Sequence, residues 1–173
     1  MGTCKPLCYL LLAAWAWTST QTAAQPTVVG WIEPVKLGGE GPVLPAKLDT
    51  GADISSLHVS DITWIRRHDG DWVAFDVAGK DNRKVRLERK VERVARVKKA
   101  AGGVQERPTV LLGVCLGDTY RVTEVNLTDR TGFKLPFLVG RSFLAERFAV
   151  DSSRTHTVEP ACQTTTASSA ISG

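Results

Sequence analysis

The sequence predicts an all-β domain that closes with one short helix and a last strand. Three observations carry this reading. Beyond residue 24 the apolar residues fall in short runs rich in Val and Leu, and no stretch sustains the 3.6-residue period of a long amphipathic helix. The runs are separated by Gly, Asp and Asn, the residues that tight turns favour. The 173 residues, 43% hydrophobic and 23% charged, suffice for one compact core.

Taken in order, the segments between the turns place strands at 28–33, 43–48, 55–58, 72–77, 85–97, 108–116, 119–127 and 136–139. Turns are expected at Gly38-Gly39, Asp69-Gly70, Lys80-Asp81-Asn82, Gly102-Gly103, Gly117-Asp118 and Asp129-Arg130-Thr131-Gly132. The stretch 141–146 after Gly140 is expected to make the short helix and 148–151 the last strand, so that the domain spans 25–156. Residues 157–173 are mostly small and polar, with too little apolar surface to offset the entropy of ordering them, and are expected to form a disordered tail.

Residues 1–24 differ from the rest. A lone Lys5 precedes the apolar run 7–17, and the small residues Thr22, Ala23 and Ala24 follow, the pattern of a secretory signal cleaved after Ala24. The run is shorter than the about 20 residues a spanning helix needs. The mature chain is therefore expected to be exported, to a periplasm, with no membrane span. Cys4 and Cys8 leave with the signal, and Cys115 and Cys162 remain in a compartment that permits a disulfide. Cys115, inside the apolar run 110–116, reads as a buried strand residue, and Cys162 as part of the tail.

The net charge of +4 is unevenly placed: residues 79–107 hold eleven Lys or Arg against four Asp or Glu, which leaves the remainder net acidic. The solvated face of a hairpin explains such a run, and attraction of an acidic partner or substrate is the functional alternative. Nucleic acid is not expected, because no aromatic-interleaved binding motif accompanies the charge.

The residues that carry chemistry begin with Ala46-Lys47-Leu48-Asp49-Thr50-Gly51-Ala52. A carboxylate at the end of an apolar strand needs a reason to tolerate poor solvation, and catalysis supplies one. Gly51 allows a sharp turn, and the Thr50 hydroxyl is expected to tie the loop to nearby backbone. Peptide hydrolysis by carboxylates takes two of them sharing one proton, one acting as base on water and the other as acid towards the carbonyl. The chain has one Asp-Thr-Gly. A two-fold homodimer, with Asp49 from each subunit, is the arrangement that symmetry allows.

A second element, Phe137-Leu138-Val139-Gly140-Arg141-Ser142-Phe143-Leu144, is again an apolar strand running into a Gly and a helix-like turn. Together the two elements resemble the retropepsins, the single-domain aspartic proteases typified by retroviral enzymes. More closely, Ala46 to His58, Val125-Asn126-Leu127-Thr128-Asp129-Arg130, Leu138 to Leu144 and Phe148-Ala149-Val150-Asp151 resemble a bacterial group labelled ATP-dependent zinc proteases, whose domain is retropepsin-like. The resemblance implies a closed β-barrel of the acid-protease fold. It also implies Asp49 as the catalytic residue, Thr50, Gly51 and Ala52 as the active-site loop, and Gly140 with Arg141 as its support. Some relatives are associated with glutamate ligases that modify ribosomal proteins, which suits a basic surface meeting an acidic peptide.

Retropepsins cover their substrate with a flexible hairpin. Its tip is expected at Ala100-Ala101-Gly102-Gly103, where Gly102 and Gly103 allow bending. A second candidate is 79–83. No His-Glu-x-x-His and no phosphate-binding loop occurs, and the histidines are only His58, His68 and His156, so neither a metal nor a nucleotide cofactor is expected. Trp31, Trp64 and Trp72 read as core or rim packing, and Asp53 and Asp151 as ion-pair partners of Arg141 or Arg154.

The sequence therefore points to an exported, homodimeric aspartic endopeptidase acting on a peptide or protein substrate, acidic if the basic segment meets it. The alternatives are a non-catalytic envelope module of the same fold that binds an acidic peptide or polymer, and a zinc-dependent peptidase using His58.

Overall fold

The computed structural model describes residues 25–162, apart from residue 40 and residues 99–101. Residues 1–24, where a leader is expected, and residues 163–173 lie outside the described residues, as do Ala100 and Ala101 of the expected hairpin tip.

Ten strands and one helix follow one another along the described chain. They are β1 (Thr27–Leu37), β2 (Val43–Leu48), β3 (Ser55–His58), β4 (Ser60–Arg67), β5 (Gly70–Ala78), β6 (Lys84–Lys98), β7 (Val104–Leu116), β8 (Thr119–Thr128), β9 (Phe137–Val139), α1 (Arg141–Leu144) and β10 (Phe148–Thr155). The fold class is all-β, as the sequence predicts. The strand order is β10-β1-β2-β9-β3-β8-β7-β6-β5-β4, and a further pairing of β1 with β7 joins β1, β2, β9, β3, β8 and β7 into a ring. Within the ring, β2 runs parallel to β9 and β3 parallel to β8, pairings that link segments far apart in sequence.

The core fills this ring from the inward faces of its strands. In β2 the alternation is regular, with Leu44, Ala46 and Leu48 buried and the residues between them partly exposed. Val110, Leu112, Val114 and Leu116 of β7 are also buried, and they pack with Leu57, Val125, Leu127, Phe137, Val139, Phe143 and Leu144, and with Val73, Phe75 and Val77 of β5, a strand outside the ring. Full burial of such side chains stabilises by about 1.5–3 kcal/mol each before the entropy of ordering is counted.

Besides β7, which begins at Val104 rather than at residue 108, three strands depart from the sequence reading. The first does not stop at Glu33 but continues through Pro34 to Leu37. Pro34 pairs with Pro45, so the two residues that lack an N–H stand opposite each other in the ladder. The second, β4, has no counterpart among the expected strands. It is an edge strand with most of its residues exposed, and its only strand partner among the described residues is β5, so it lacks the buried face that makes a strand legible. The third, β10, runs on to Thr155 beside β1.

The chain also stays ordered past His156, where the sequence places the start of the tail. Glu33, fully buried, holds it there. One carboxylate oxygen accepts the Gly30 N–H at 2.7 Å and the Thr157 hydroxyl at 2.6 Å, and the other accepts the Thr157 and Val158 N–H groups at 2.8 and 3.2 Å. Cys162 then forms a disulfide with Cys115, with a Cα–Cα distance of 5.9 Å. Residues 157–162 are thus fastened to the domain by a buried carboxylate and a covalent bond.

Candidate active site

Asp49 sits where β2 ends. Its backbone N–H donates to the Val139 carbonyl of β9 at 2.9 Å, so the parallel β2–β9 pairing carries directly into the loop. The side chain, 24% exposed, is held from two sides. Oδ1 accepts the Gly51 N–H at 3.0 Å, and Oδ2 accepts the Lys47 ammonium at 3.0 Å. The Lys47 hydrogen bond is the largest influence on the carboxyl; it works against burial and is joined by the Gly51 and Ala52 N–H groups and the Lys47 charge. Together they hold Asp49 below the usual carboxylate range.

Gly140 and Arg141 lie against the other side of this loop. A β-carbon at Gly140 would stand 2.7 Å from the Ile54 carbonyl carbon and 2.9 Å from the Asp53 oxygen, so only glycine lets the two backbones approach this closely. The Gly140 N–H donates to the buried Ser55 hydroxyl at 3.1 Å, and the Arg141 and Ser142 N–H groups donate to the Ala52 and Asp53 carbonyls at 2.7 and 2.9 Å. The Arg141 guanidinium donates to the Thr50 carbonyl at 3.1 Å and pairs with Asp53. The tie expected from the Thr50 hydroxyl is made by its carbonyl instead. The hydroxyl has no hydrogen bond among the described residues, and Thr50 and Gly51 are exposed.

Two neighbours of Asp49 lie outside the set of site residues that the sequence suggests. Lys47 was legible in principle, because residues two apart on a strand share a side. Arg130, from the loop between β8 and β9, had no such signal. Its Nη1 donates to Ser56 Oγ at 3.4 Å, its guanidinium lies 4.4 Å from the centre of the Phe133 ring, and its Nε is buried with no partner among the described residues. Burial and the Arg107 charge lower the Arg130 pKa, and the Asp49 charge opposes them, so the two cations and the carboxylate share one field. Trp31, Ile32, Lys47, Arg130, Phe133, Lys134 and Leu135 line a cavity of about 410 Å³, which Asp49 meets through its partner Lys47. Three cations and two aromatic rings stand around it.

Of the expected tip residues, Gly102 and Gly103 turn β6 into β7 with φ of 90° and 85°, a conformation open to glycine. On the β7 side of this hairpin, Gln105 donates to Thr128 Oγ1 at 3.4 Å and accepts from Arg107, which puts the tip end of the hairpin beside the end of β8, ahead of the loop that carries Arg130. The second candidate, the turn at 79–83, is closed by its own hydrogen bonds and packs on Pro42, at the opposite end of β2 from Asp49. Trp31 lines the cavity, Trp64 is half exposed, and Trp72 lies under Arg67 at 4.5 Å. Asp151 feels the charge of Arg154 and caps its own turn through Ser153.

A zinc site does not fit these residues. His58 Nδ1 accepts the Arg130 backbone N–H at 2.8 Å, with Asp129 as its carboxylate neighbour at 3.5 Å. Among the described residues no group of three or more His, Cys, Asp or Glu is placed to hold a metal ion.

Comparison with known proteins gives the family. Residues 28–160 match the RimB-like family model, described as retropepsin-like aspartic endopeptidase RimB. Two curated relatives, each named "Probable alpha-L-glutamate ligase", come from Parasynechococcus marenigrum strain WH8102 and Shewanella halifaxensis strain HAW-EB4. The first is 30% identical over 133 residues, covering 75% of this chain and 28% of the relative. The second is 30% identical over 115 residues, covering 65% and 25%. The chain thus spans about a quarter of the length of these relatives. A Legionella pneumophila protein of unknown function, known from its crystal structure, superposes with a TM-score of 0.66 at 35% identity, over 78% of this chain and 100% of that one. On the family match and the fold together, the chain belongs to the RimB-like family of retropepsin-like aspartic endopeptidases.

Proposed function

We propose that this chain is an exported aspartic endopeptidase that works as a two-fold homodimer, with water activated between two Asp49 carboxylates. The observation that carries the proposal is the Asp49 loop itself. Its carboxylate is fixed by Gly51 and Lys47, its loop is braced by Gly140 and Arg141, and it is partly open to solvent, with its partner Lys47 lining a cavity. Asp53, the neighbouring acid, is engaged by Arg141. A second free carboxylate must come from elsewhere, and an exposed Thr50-Gly51 loop is what a symmetric partner would meet.

In this reading one Asp49 takes a proton from water while its protonated counterpart donates to the scissile carbonyl oxygen. The hairpin ending in Gly102 and Gly103 covers the bound peptide. Lys47, Arg130 and Lys134 around the cavity favour an acidic peptide, and the glutamate in the relatives' name agrees with that class of substrate. The Cys115–Cys162 disulfide supports an oxidising compartment, in keeping with the leader in residues 1–24.

The decisive experiment is cleavage of a peptide library across pH by wild type and Asp49→Asn, with the molecular mass of each protein measured in solution. Wild type is expected to cut and to have twice the chain mass, and the Asp49→Asn variant to keep that mass and lose cleavage. Undiminished proteolysis by the variant ends the proposal. The salt bridge from Lys47, which offsets the Asp49 charge, favours a second reading: a non-catalytic module that holds acidic peptides. That reading requires binding without products.

A further inference from the structure

Lys47 is unexplained by the chemistry just proposed. It precedes Asp49 by two residues and turns to the same side of the chain, where its Nζ stands 3.0 Å from Oδ2. The pair is shielded on the carboxylate side, with the Asp49 side chain 24% exposed against 45% for Lys47. A cation in this position favours the charged carboxylate. Acid–base catalysis by two carboxylates requires the opposite state for one of them, since the pair must keep a shared proton.

The other groups facing Asp49 do not take over this role. On its own loop it meets the Gly51 and Ala52 N–H groups, while Asp53 is paired with Arg141 of α1. From β9 it meets the Val139 carbonyl, which accepts its backbone N–H. From the β8–β9 loop comes the Arg130 charge, which makes no hydrogen bond to Asp49 and is itself opposed by Arg107 of β7. Ser56 of β3 is occupied by Arg130. Lys47 is thus the cation in direct contact with the carboxylate proposed to activate water.

We propose that Lys47 sets the pH window of the Asp49 pair, making the shared proton easier to lose and confining activity to acidic conditions. The inference rests on the reading of two Asp49 carboxylates as one site. In a two-fold dimer each protomer contributes one Lys47, so both apparent titrations of the pair lie lower than they would without it. The form with one proton, which is the active one, then exists over a window displaced towards acid.

The test is the pH dependence of kcat/KM for wild type, Lys47→Met and Lys47→Arg. The same proteins are titrated by NMR with the Asp49 carboxyl carbon as the probe. Lys47→Met removes the charge while keeping all but the last atom of the side chain's length, and is expected to move both limbs of the profile up by about one pH unit. Lys47→Arg keeps the charge and is expected to leave the limbs near wild type. Arg130→Met, a charge removal without direct contact, is expected to give a smaller shift. Limbs that stay in place in Lys47→Met, or that move equally in Lys47→Arg, overturn the inference. If no protein cleaves peptide at any pH, the peptidase reading fails. The carboxyl titration still decides the role of Lys47, because an unchanged Asp49 midpoint in Lys47→Met refutes it without reference to activity.

Discussion

Replacing Glu33 by Gln tests whether one buried carboxylate holds the C-terminal segment in place. The change is nearly isosteric, so what it removes is charge and acceptor capacity. In the wild type four donors converge on Glu33: the Gly30 N–H, the Thr157 hydroxyl, and the Thr157 and Val158 N–H groups. A glutamine oxygen can still accept two of them, now without charge assistance, while its NH2 faces the other two donors. Weakening two charge-assisted hydrogen bonds and stranding two buried donors costs about 3 kcal/mol in all. For a domain of this size that is a fall of about 10 °C in Tm.

The effect has a pH signature. Burial raises the Glu33 pKa, but hydrogen bonds from Thr157, Val158 and Gly30 outweigh it and leave the carboxyl below the usual carboxylate range. A carboxyl depressed in the folded state adds stability above its unfolded pKa and loses it as pH falls through the folded one. The gap between wild type and Glu33→Gln is therefore full near neutrality and closes below about pH 4. Urea unfolding of the disulfide-bonded protein at several pH values, followed by circular dichroism, measures it. A loss under about 0.5 kcal/mol at about pH 7, or a gap independent of pH, refutes the reasoning.

Other outcomes follow from the same contacts. Cys162→Ser releases a cross-link with a sequence separation of 47, and chain entropy sets the cost at no more than about 4 kcal/mol, read as a drop in the urea midpoint that dithiothreitol reproduces in the wild type. Gly140→Ala puts a β-carbon 2.7 Å from the Ile54 backbone, so a destabilisation of about 2–3 kcal/mol is expected, with peptidase activity falling further than stability as Arg141 leaves the Thr50 carbonyl. Phe133→Ala removes the ring under Arg130 and is expected to raise KM for acidic peptides more than for neutral ones, in a comparison of paired substrates. Prolonged chelation is expected to leave cleavage unchanged, and activity lost to chelation and restored by zinc would contradict the fit of the site.

Much of this architecture was legible in the residues. Strand β2 falls where its apolar run places it, because alternate side chains pack against the core and the pattern records that packing. The helix after Gly140 is found at its expected start, though it ends at Leu144. β4 escapes a reading of the sequence because an exposed edge strand lacks a consistent buried face. The end of the domain lies later than its composition suggests, because polar residues do not disclose that Glu33 waits for Thr157. The segment is ordered by hydrogen bonds from Thr157 and Val158 to Glu33, by a disulfide and by Val158 packing against the core.

The sequence by itself determined the all-β class, the Asp-Thr-Gly loop and the glycine that a close backbone approach requires, since each depends on local preference or on a motif read along the chain. Only the tertiary structure decided what surrounds Asp49. Parallel pairing of β2 with β9 brings Gly140 and Arg141 against the loop, and the β8–β9 connection delivers Arg130 to its field. The Arg141–Thr50 contact joins residues 91 positions apart, and periodicity along a chain carries no information about which distant strand will lie beside it. The electrostatics of the carboxylate, and so its chemistry, is a property of the assembled ring.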